Sequence, residues 1–291
     1  MKASVIITTY RRASFLHRAV ESALQQTNEC EVIIVDDNGK GTQYQMETEK
    51  LLYPYFNRIR YLPLEKNSGA CIARNTGATI ANGEYLFFLD DDDEFLPHKV
   101  EVQTKFLDEN TKFDGCLSAF KRIEENKKEI FSPSNWPKVG HFKDFALYGN
   151  FFTPMLAVRK SAFLETGGFR IIPRFQDRYF LLHSLLQEFS FAEIHEPLYI
   201  MYEHGGDRVT HNSVEKSIVS LDKIKELICQ NVNLFNPKEY QSFLQKDYRM
   251  RATIYYLSKQ HRYMAAKYWL KTWNIGKRPK DLLMMIKSFI N

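Results

Sequence analysis

The alternation of apolar and polar positions divides the chain at about residue 213. Before it, short apolar, β-branched runs alternate with segments of helical period. Ala3 to Thr9, Glu31 to Val35, Arg58 to Leu62 and Glu84 to Leu89 read as four strands. Between them, Leu16, Ala19, Val20, Ala23 and Leu24 repeat at helical spacing behind Ser14, the expected N-cap. Gln43 to Leu52 and Gly69 to Ala81 read as two further helices. Phe113 to Arg122, Lys128 to Phe131 and Met155 to Arg159 add strands, and Asp177 to Glu188 adds a helix. This β-α-β-α-β order predicts an α/β fold, a mostly parallel central sheet with helices on both faces. From about Ser213 strand signals vanish. Asn236, Pro237 and Glu239 form an N-cap, an N1 proline and a capping-box acid, so a helical C-terminal appendage is expected over 213–291.

Ligands of such sheets bind beyond the carboxyl ends of the strands. Thr8 to Tyr10, Asp36-Asp37 and Asp90-Asp91-Asp92-Asp93 all fall there, so three polar clusters from separate strands should meet in one crevice. The acidic step is the most informative of them. It follows the apolar run Tyr85-Leu86-Phe87-Phe88-Leu89, and carboxylates at the end of a buried strand repel one another. A hard divalent cation, Mn2+ or Mg2+, would relieve that repulsion, and such ions commonly hold phosphates. Nucleotide-diphosphate chemistry is the reading this suggests.

Composition changes the picture little, and charge more. The four cysteines, Cys30, Cys71, Cys116 and Cys229, are far apart, which suggests neither a zinc site nor a disulfide framework. Met1-Lys2 leads straight into the first strand and no apolar run reaches membrane-spanning length, so a cytoplasmic protein is expected. The net charge of +5 is uneven: Lys259 to Asn291 carries eight basic side chains and one acid, leaving residues 1–258 at −2. Tyr263, Tyr268, Trp269, Trp273 and Phe289 are interleaved with those bases. Two readings stay open: helices lying on an anionic membrane at the inner face of the cell, or aromatics packed on the rest of the chain or on a second subunit of a homodimer.

The ordered set Val5-Ile6-Ile7-Thr8-Thr9-Tyr10-Arg11-Arg12, Ile34 to Gly39, Asn67-Ser68-Gly69, Ala73 to Gly77, Gly83 to Asp93, Gly167-Gly168-Phe169 and Gln176-Asp177 resembles the inverting glycosyltransferases of family 2. Each piece is weak alone; together they are specific and cover about residues 3–180. One departure is Thr8, where the family often has proline.

The resemblance implies a GT-A, Rossmann-like fold over 1–212, with a nucleotide-sugar half at about 1–95 and an acceptor half at about 96–212. It implies a nucleotide-diphosphate sugar, a UDP-sugar by expectation, and a glycan or glycolipid acceptor of the bacterial surface. Thr8, Tyr10, Arg12, Asp37, Arg74, Asp90 and Asp91 would bind the nucleotide sugar, and Asp92 the metal. Asp177 would be the base that deprotonates the acceptor hydroxyl. Each has a structural alternative: Asp36 and Asp37 as turn stabilisers, Asp93 as a helix start, Arg74 as an ion-pair partner and Asp177 as an N-cap. The polar loop Glu203 to Arg208 offers His204 and Arg208 as further metal or phosphate contacts. A sugar nucleotidyltransferase releasing pyrophosphate would be expected to carry a glycine-rich loop after its first strand, and Thr8 to Arg12 has no glycine. A non-catalytic sugar-binding or scaffold relative would be expected to have lost its acids or its base, and both are present.

Overall fold

The computed structural model describes residues 2–124, 128–130, 132, 135–203, 213–259 and 261–290. Two compact units form: Met1–Phe142, Gly149–Ile171 and Gln176–Gly206 make one, and Lys143–Tyr148, Ile172–Phe175 and Asp207–Asn291 the other.

The first unit is built on one sheet. Its strands are β1 (Ala3–Thr9), β2 (Glu31–Asp36), β3 (Arg60–Pro63), β4 (Tyr85–Asp90), β5 (Glu94–Phe95), β6 (Gly115–Glu124), β7 (Glu129–Ile130), β8 (Leu156–Arg159) and β9 (Phe191–Glu203). The order across the sheet is β3-β2-β1-β4-β8-β6-β9-β5, with β7 paired to β6. β3, β2, β1 and β4 are parallel, as expected. The rest departs from a mostly parallel sheet: β6 and β9 are parallel, but β8 runs antiparallel to both its neighbours and β5 antiparallel to β9.

Helix placement follows from handedness. From β1 the chain steps one way to β2 through α1 (Ala13–Leu24), and on to β3 after α2 (Gln43–Leu52). It steps back past β1 to β4 through α3 (Ala70–Ile80). Right-handed crossovers in opposite directions put α1 and α3 on opposite faces of the sheet. The reversal leaves a crevice between the carboxyl ends of β1 and β4, where Thr8 pairs with Asp90. β1 and β4 are apolar on both faces because both are covered: Val5, Ile6, Ile7, Leu86, Phe87 and Phe88 are all buried.

Two expected helix starts are corrected. α1 begins at Ala13 behind Arg12, which makes no side-chain cap, and exposed Ser14 lies inside the helix. Asp93 does not open a helix. It leads into β5, and α4 begins only at Lys99 (Lys99–Glu109).

Lys99 is fully buried, its Nζ donating to Gln103 Oε1 at 2.5 Å and Ser118 Oγ at 3.1 Å and lying 4.9 Å from the Phe95 ring centre. Burial pushes its pKa down to about 7. The unfolded chain keeps this proton up to about pH 10, so folding is opposed below pH 7 and the penalty lifts as pH rises from 7 toward 10. Lys99→Met should flatten that rise in a urea-melt pH series; an unchanged slope would exclude Lys99 as its source.

α5 (Phe142–Tyr148), α6 (Lys160–Glu165) and α7 (Gln176–Leu186) follow in the chain, then the helices of the second unit: α8 (Val214–Gln230), α9 (Pro237–Leu257), α10 (Arg262–Gly276) and α11 (Pro279–Ile290). The capping box forms as read: Asn236 Oδ1 accepts from Glu239 N at 2.9 Å and Glu239 Oε2 from Asn236 N at 2.8 Å. Ala252, Tyr255, Ala265 and Trp269 form its core, with Met284 and Met285 packed against them. Arg251 is buried against Asp247, at 2.8 Å, and also reaches Asp222. Among the tail aromatics, Trp269 is therefore internal, whereas Tyr263 and Phe289 are exposed.

Candidate active site

Parallel register brings the candidate residues to one edge: Thr8 beside Asp90, and Thr9 beside Asp36. The turn after β1 is shaped by Arg11, left-handed at φ 56°, whose N–H donates to Asn38 Oδ1 at 2.7 Å. Its guanidinium lies between the rings of Tyr10 and Tyr44, at 5.0 and 4.9 Å. This turn points Arg12 at the acidic step, where Nη1 meets Asp92 Oδ2 at 2.5 Å and Asp91 Oδ1 at 3.5 Å. Burial alone would lower the Arg12 pKa, but Asp92, Asp91 and Asp90 outweigh it and hold the guanidinium above its usual value.

The four acids of the step do not share one pocket. Asp91 turns inward, accepting from Thr9 Oγ1 at 2.8 Å, and burial followed by the Asp92 charge pushes its pKa up to about 7. Asp93 is buried and accepts from the Tyr202 N–H at 3.1 Å; burial, then Asp92 and Asp90, raises it well above the carboxylate range. Asp90 and Asp92 face outward, their side chains 34% and 20% exposed. The step is a tight turn at the end of β4, closed by the Asp93 N–H donating to the Asp90 carbonyl at 3.2 Å, and this turn sends Asp91 and Asp93 inward and Asp90 and Asp92 outward.

That geometry tests whether a divalent cation fits. Among the described residues no group of three His, Cys, Asp or Glu side chains is placed to hold a metal. Asp90 Oδ1 is taken by Arg74 and Asp92 Oδ2 by Arg12, while among the described residues Asp90 Oδ2 and Asp92 Oδ1 accept no hydrogen bond. Two outward carboxylates suit a Mg2+ or Mn2+ ion that takes its other oxygens from water and phosphates.

Asp36 and Asp37 are buried and committed to the protein. Asp36 accepts from Tyr61 Oη at 2.7 Å and Asn38 N at 2.9 Å. Asp37 Oδ1 accepts from Ser68 N at 2.6 Å, and Oδ2 from Gly69 N at 2.8 Å and Asn67 Nδ2 at 2.9 Å. The Asn67-Ser68-Gly69 motif thus wraps the Asp37 carboxylate, with Gly69 at φ +89°. Burial raises both acids and these donors partly offset it. Thr8 and Tyr10 are half-buried at the same edge.

Arg74, on α3, ties the acidic step to α7. Its Nη2 is 2.6 Å from Asp90 Oδ1 and its Nη1 donates to Gln176 Oε1 at 3.1 Å. The neighbouring Asn75 clamps the Gly167-Gly168-Phe169 turn, accepting from Phe169 N and donating to Phe169 O, each at 2.9 Å. Gly168, at φ +63°, leaves no room for more: a Cβ there would lie 2.7 Å from Asn75 Oδ1. Asp177 is half-buried in the first turn of α7, inside the helix and not at its N-cap. Its Oδ1 accepts from Arg178 N at 2.7 Å, and among the described residues Oδ2 accepts nothing. Burial raises its pKa, and the charges of Arg74, Asp90 and Arg178 act on it. Asp177, Arg74 and Asp90 therefore share one electrostatic neighbourhood.

His204 and Arg208 lie outside the described residues. Two residues at this edge carry no motif. Arg18, on α1, donates to the Asp92 carbonyl at 2.5 Å and stacks 3.5 Å over the Tyr202 ring. Tyr199 is buried, its hydroxyl without a hydrogen-bond partner among the described residues, and its pKa is raised by burial and then by Asp93 and Asp90. The β9 partnership that delivers Tyr199 and Tyr202 spans about a hundred residues, and only their aromatic character signals them.

The fold is that of the GT-A glycosyltransferases. S. aureus TarS, solved with UDP-GlcNAc, superposes with a TM-score of 0.61 over 99% of this chain and 79% of that one, at 16% identity. The family model for glycosyl transferase family 2 matches residues 4–179. The chain belongs to that family. A Haemophilus influenzae glycosyltransferase is 30% identical over 228 residues, 77% of this chain and 76% of that protein. The Staphylococcus aureus poly(ribitol-phosphate) beta-N-acetylglucosaminyltransferase TarP is 37% identical over 113 residues, 38% of this chain and 34% of its own length. Of a longer Rickettsia felis glycosyltransferase the match spans only 21%.

Proposed function

We propose that this chain is an inverting glycosyltransferase that moves a sugar, of hexosyl class, from a UDP-sugar to a hydroxyl of a cell-surface glycan or glycolipid. The reading is carried by one observation: among the described residues Asp177 keeps one carboxylate oxygen without a hydrogen bond, within electrostatic range of Arg74 and Asp90 at the acidic step. A base at that place needs one free oxygen, and the backbone bond to Arg178 N fixes the other. Relatives support the donor and acceptor classes: TarS was solved with UDP-GlcNAc and with UDP, and TarP is named for transfer of N-acetylglucosamine to poly(ribitol-phosphate).

Asp177 Oδ2 takes the proton as the acceptor oxygen attacks the anomeric carbon from the face opposite the nucleotide. One displacement inverts that carbon, and no carboxylate nucleophile is required, in contrast to a retaining glycosidase. Arg74 holds Asp90 in place and adds positive charge near the leaving diphosphate; Arg12 does the same for Asp92. Thr8 and Tyr10 face the base and ribose, with Asp37 holding the loop beneath them. Mn2+ or Mg2+, held by Asp92 with Asp90, would supply Lewis-acid neutralisation of the departing diphosphate. The site of action is the cytoplasm at the inner face of the cell membrane, and a homodimer is compatible with this scheme.

The test is a panel of nucleotide sugars, each with Mn2+ and with EDTA, read by thermal shift and by UDP release. One UDP-sugar with metal should stabilise the fold, by about 2.7 kcal/mol at a hundred times its dissociation constant, and turn over with acceptor. Pyrophosphate release from a nucleoside triphosphate, or no response to any nucleotide, would refute the proposal.

A further inference from the structure

The outer face of α11 is apolar with nothing described against it. Leu283, Ile286 and Phe289 are 50%, 44% and 62% exposed, whereas the opposite face is committed to the second unit. There Asp281 is buried in a 3.0 Å pair with Arg249, Ser288 is buried, and Met284 and Met285 pack on the Trp269 core. At 100° per residue, Lys280 and Lys287 fall within about 60° of Leu283, so the apolar stripe is bordered by lysine, with Lys277 and Arg278 just ahead of the helix. All four bases are exposed, and none has a carboxylate partner among the described residues. The one acid of the segment, Asp281, faces inward and is already neutralised.

We infer that α11 is an interfacial anchor that seats this unit on an anionic lipid bilayer. A twelve-residue helix is about 18 Å long, short of a hydrocarbon core of about 30 Å, and among the described residues no helix is long and apolar enough to cross a membrane. It can lie in the headgroup layer, with Leu283, Ile286 and Phe289 reaching the acyl boundary and the lysine stems extending to lipid phosphates. A second copy of the chain is the poorer occupant. Pairing two such faces would bring eight uncompensated cations together, whereas an anionic surface attracts every one of them. The inference rests on the membrane-side placement proposed above and not on the sugar chemistry, so its test reads partition and not transfer.

The full chain is sedimented with vesicles of phosphatidylcholine containing about one third phosphatidylglycerol, and with phosphatidylcholine alone. Binding is expected to the first at low salt, to weaken steeply as salt is raised, and to be slight on the second. Ile286→Ser and Phe289→Ser should each weaken partition about tenfold or more, and Lys280→Gln and Lys287→Gln about fivefold each. These positions are exposed, so the variants should keep the parent's circular dichroism and melting temperature. No binding to anionic vesicles, or binding that Ile286→Ser and Phe289→Ser leave intact, overturns the assignment. So does sedimentation velocity showing a self-association that those two substitutions dissolve while vesicle binding stays absent, since the stripe is then an interface between copies.

Discussion

Asp177→Asn is expected to lower turnover by about 10²–10⁴, the usual worth of general-base help, while nucleotide-sugar affinity stays close to that of the parent. Asparagine keeps the shape and can still accept the Arg178 N–H, so the head of α7 should hold. Stability should not suffer either. A carboxyl whose folded pKa is raised keeps its proton in the native state over a window where the unfolded chain has lost it. Its contribution is thus favourable at low pH and fades as pH rises through the raised value. Removing its ionisation at pH 7–8 removes a cost. The activity loss can therefore be separated from unfolding by a thermal melt on the same sample.

The pH profile provides a second readout. The base must be ionised to act, so kcat/KM should fall as pH drops through the Asp177 pKa, which burial places above the ordinary carboxylate range of about 4. Arg74 opposes that shift and Asp90 adds to it. Arg74→Met should then move the acid limb to higher pH, and Asp90→Asn to lower pH, apart from their effects on rate. Full transfer by Asp177→Asn would remove this residue from the chemistry. An acid limb indifferent to Arg74 and Asp90 would place the titrating group elsewhere.

The parts of the fold legible in the sequence are those decided locally. β1 is bounded as its apolar run predicts, α2 is bounded by Thr42, whose Oγ1 caps Gln45 N, and the Asn236–Glu239 box opens α9. What was not legible depends on residues far away. Ser14 has the chemistry of an N-cap, but the left-handed turn at Arg11, pinned by Asn38, starts α1 two residues earlier and sends Arg12 to the acids. Asp93 reads as a helix start until β9 arrives from a hundred residues downstream, pairs with β5 and offers the Tyr202 N–H. The acidic step likewise read as four charges needing a cation. The Thr9, Arg12 and Arg74 side chains and the Tyr202 N–H divide them into two buried groups and two outward ones, and only groups from other elements could do so. The convergence of Thr8 to Tyr10, Asp36-Asp37 and the acidic step was readable because parallel strands present their carboxyl ends at one edge, whereas the order of the strands rests on pairings such as β6 with β9 that no local pattern announces.

Asp92→Asn is expected to cut transfer by about 10²–10³, the rate equivalent of several kcal/mol of Lewis-acid stabilisation at about 1.4 kcal/mol per tenfold. It is also expected to abolish the Mn2+ dependence of UDP binding. The structure offers a competing role, since Asp92 is the nearest partner of Arg12, and losing one partner of a half-buried pair costs stability whatever the chemistry. The two roles predict different patterns. If Asp92 serves only Arg12, Asp92→Asn should lower the melting temperature, leave UDP binding equally responsive to Mn2+, and have its effect on rate reproduced by Arg12→Met. If Asp92 holds the ion, the loss of the Arg12 pair affects the melting temperature of the nucleotide-free protein in the same way, but UDP binding by the variant no longer responds to Mn2+ and Arg12→Met does not reproduce that loss. Isothermal titration with UDP, in Mn2+ and in EDTA, then decides: parent affinity should depend on the ion and the variant's should not. Equal Mn2+ dependence in both proteins would assign the ion to other groups, and the outward pair Asp90 and Asp92 would be left as counter-charges to Arg74 and Arg12 alone.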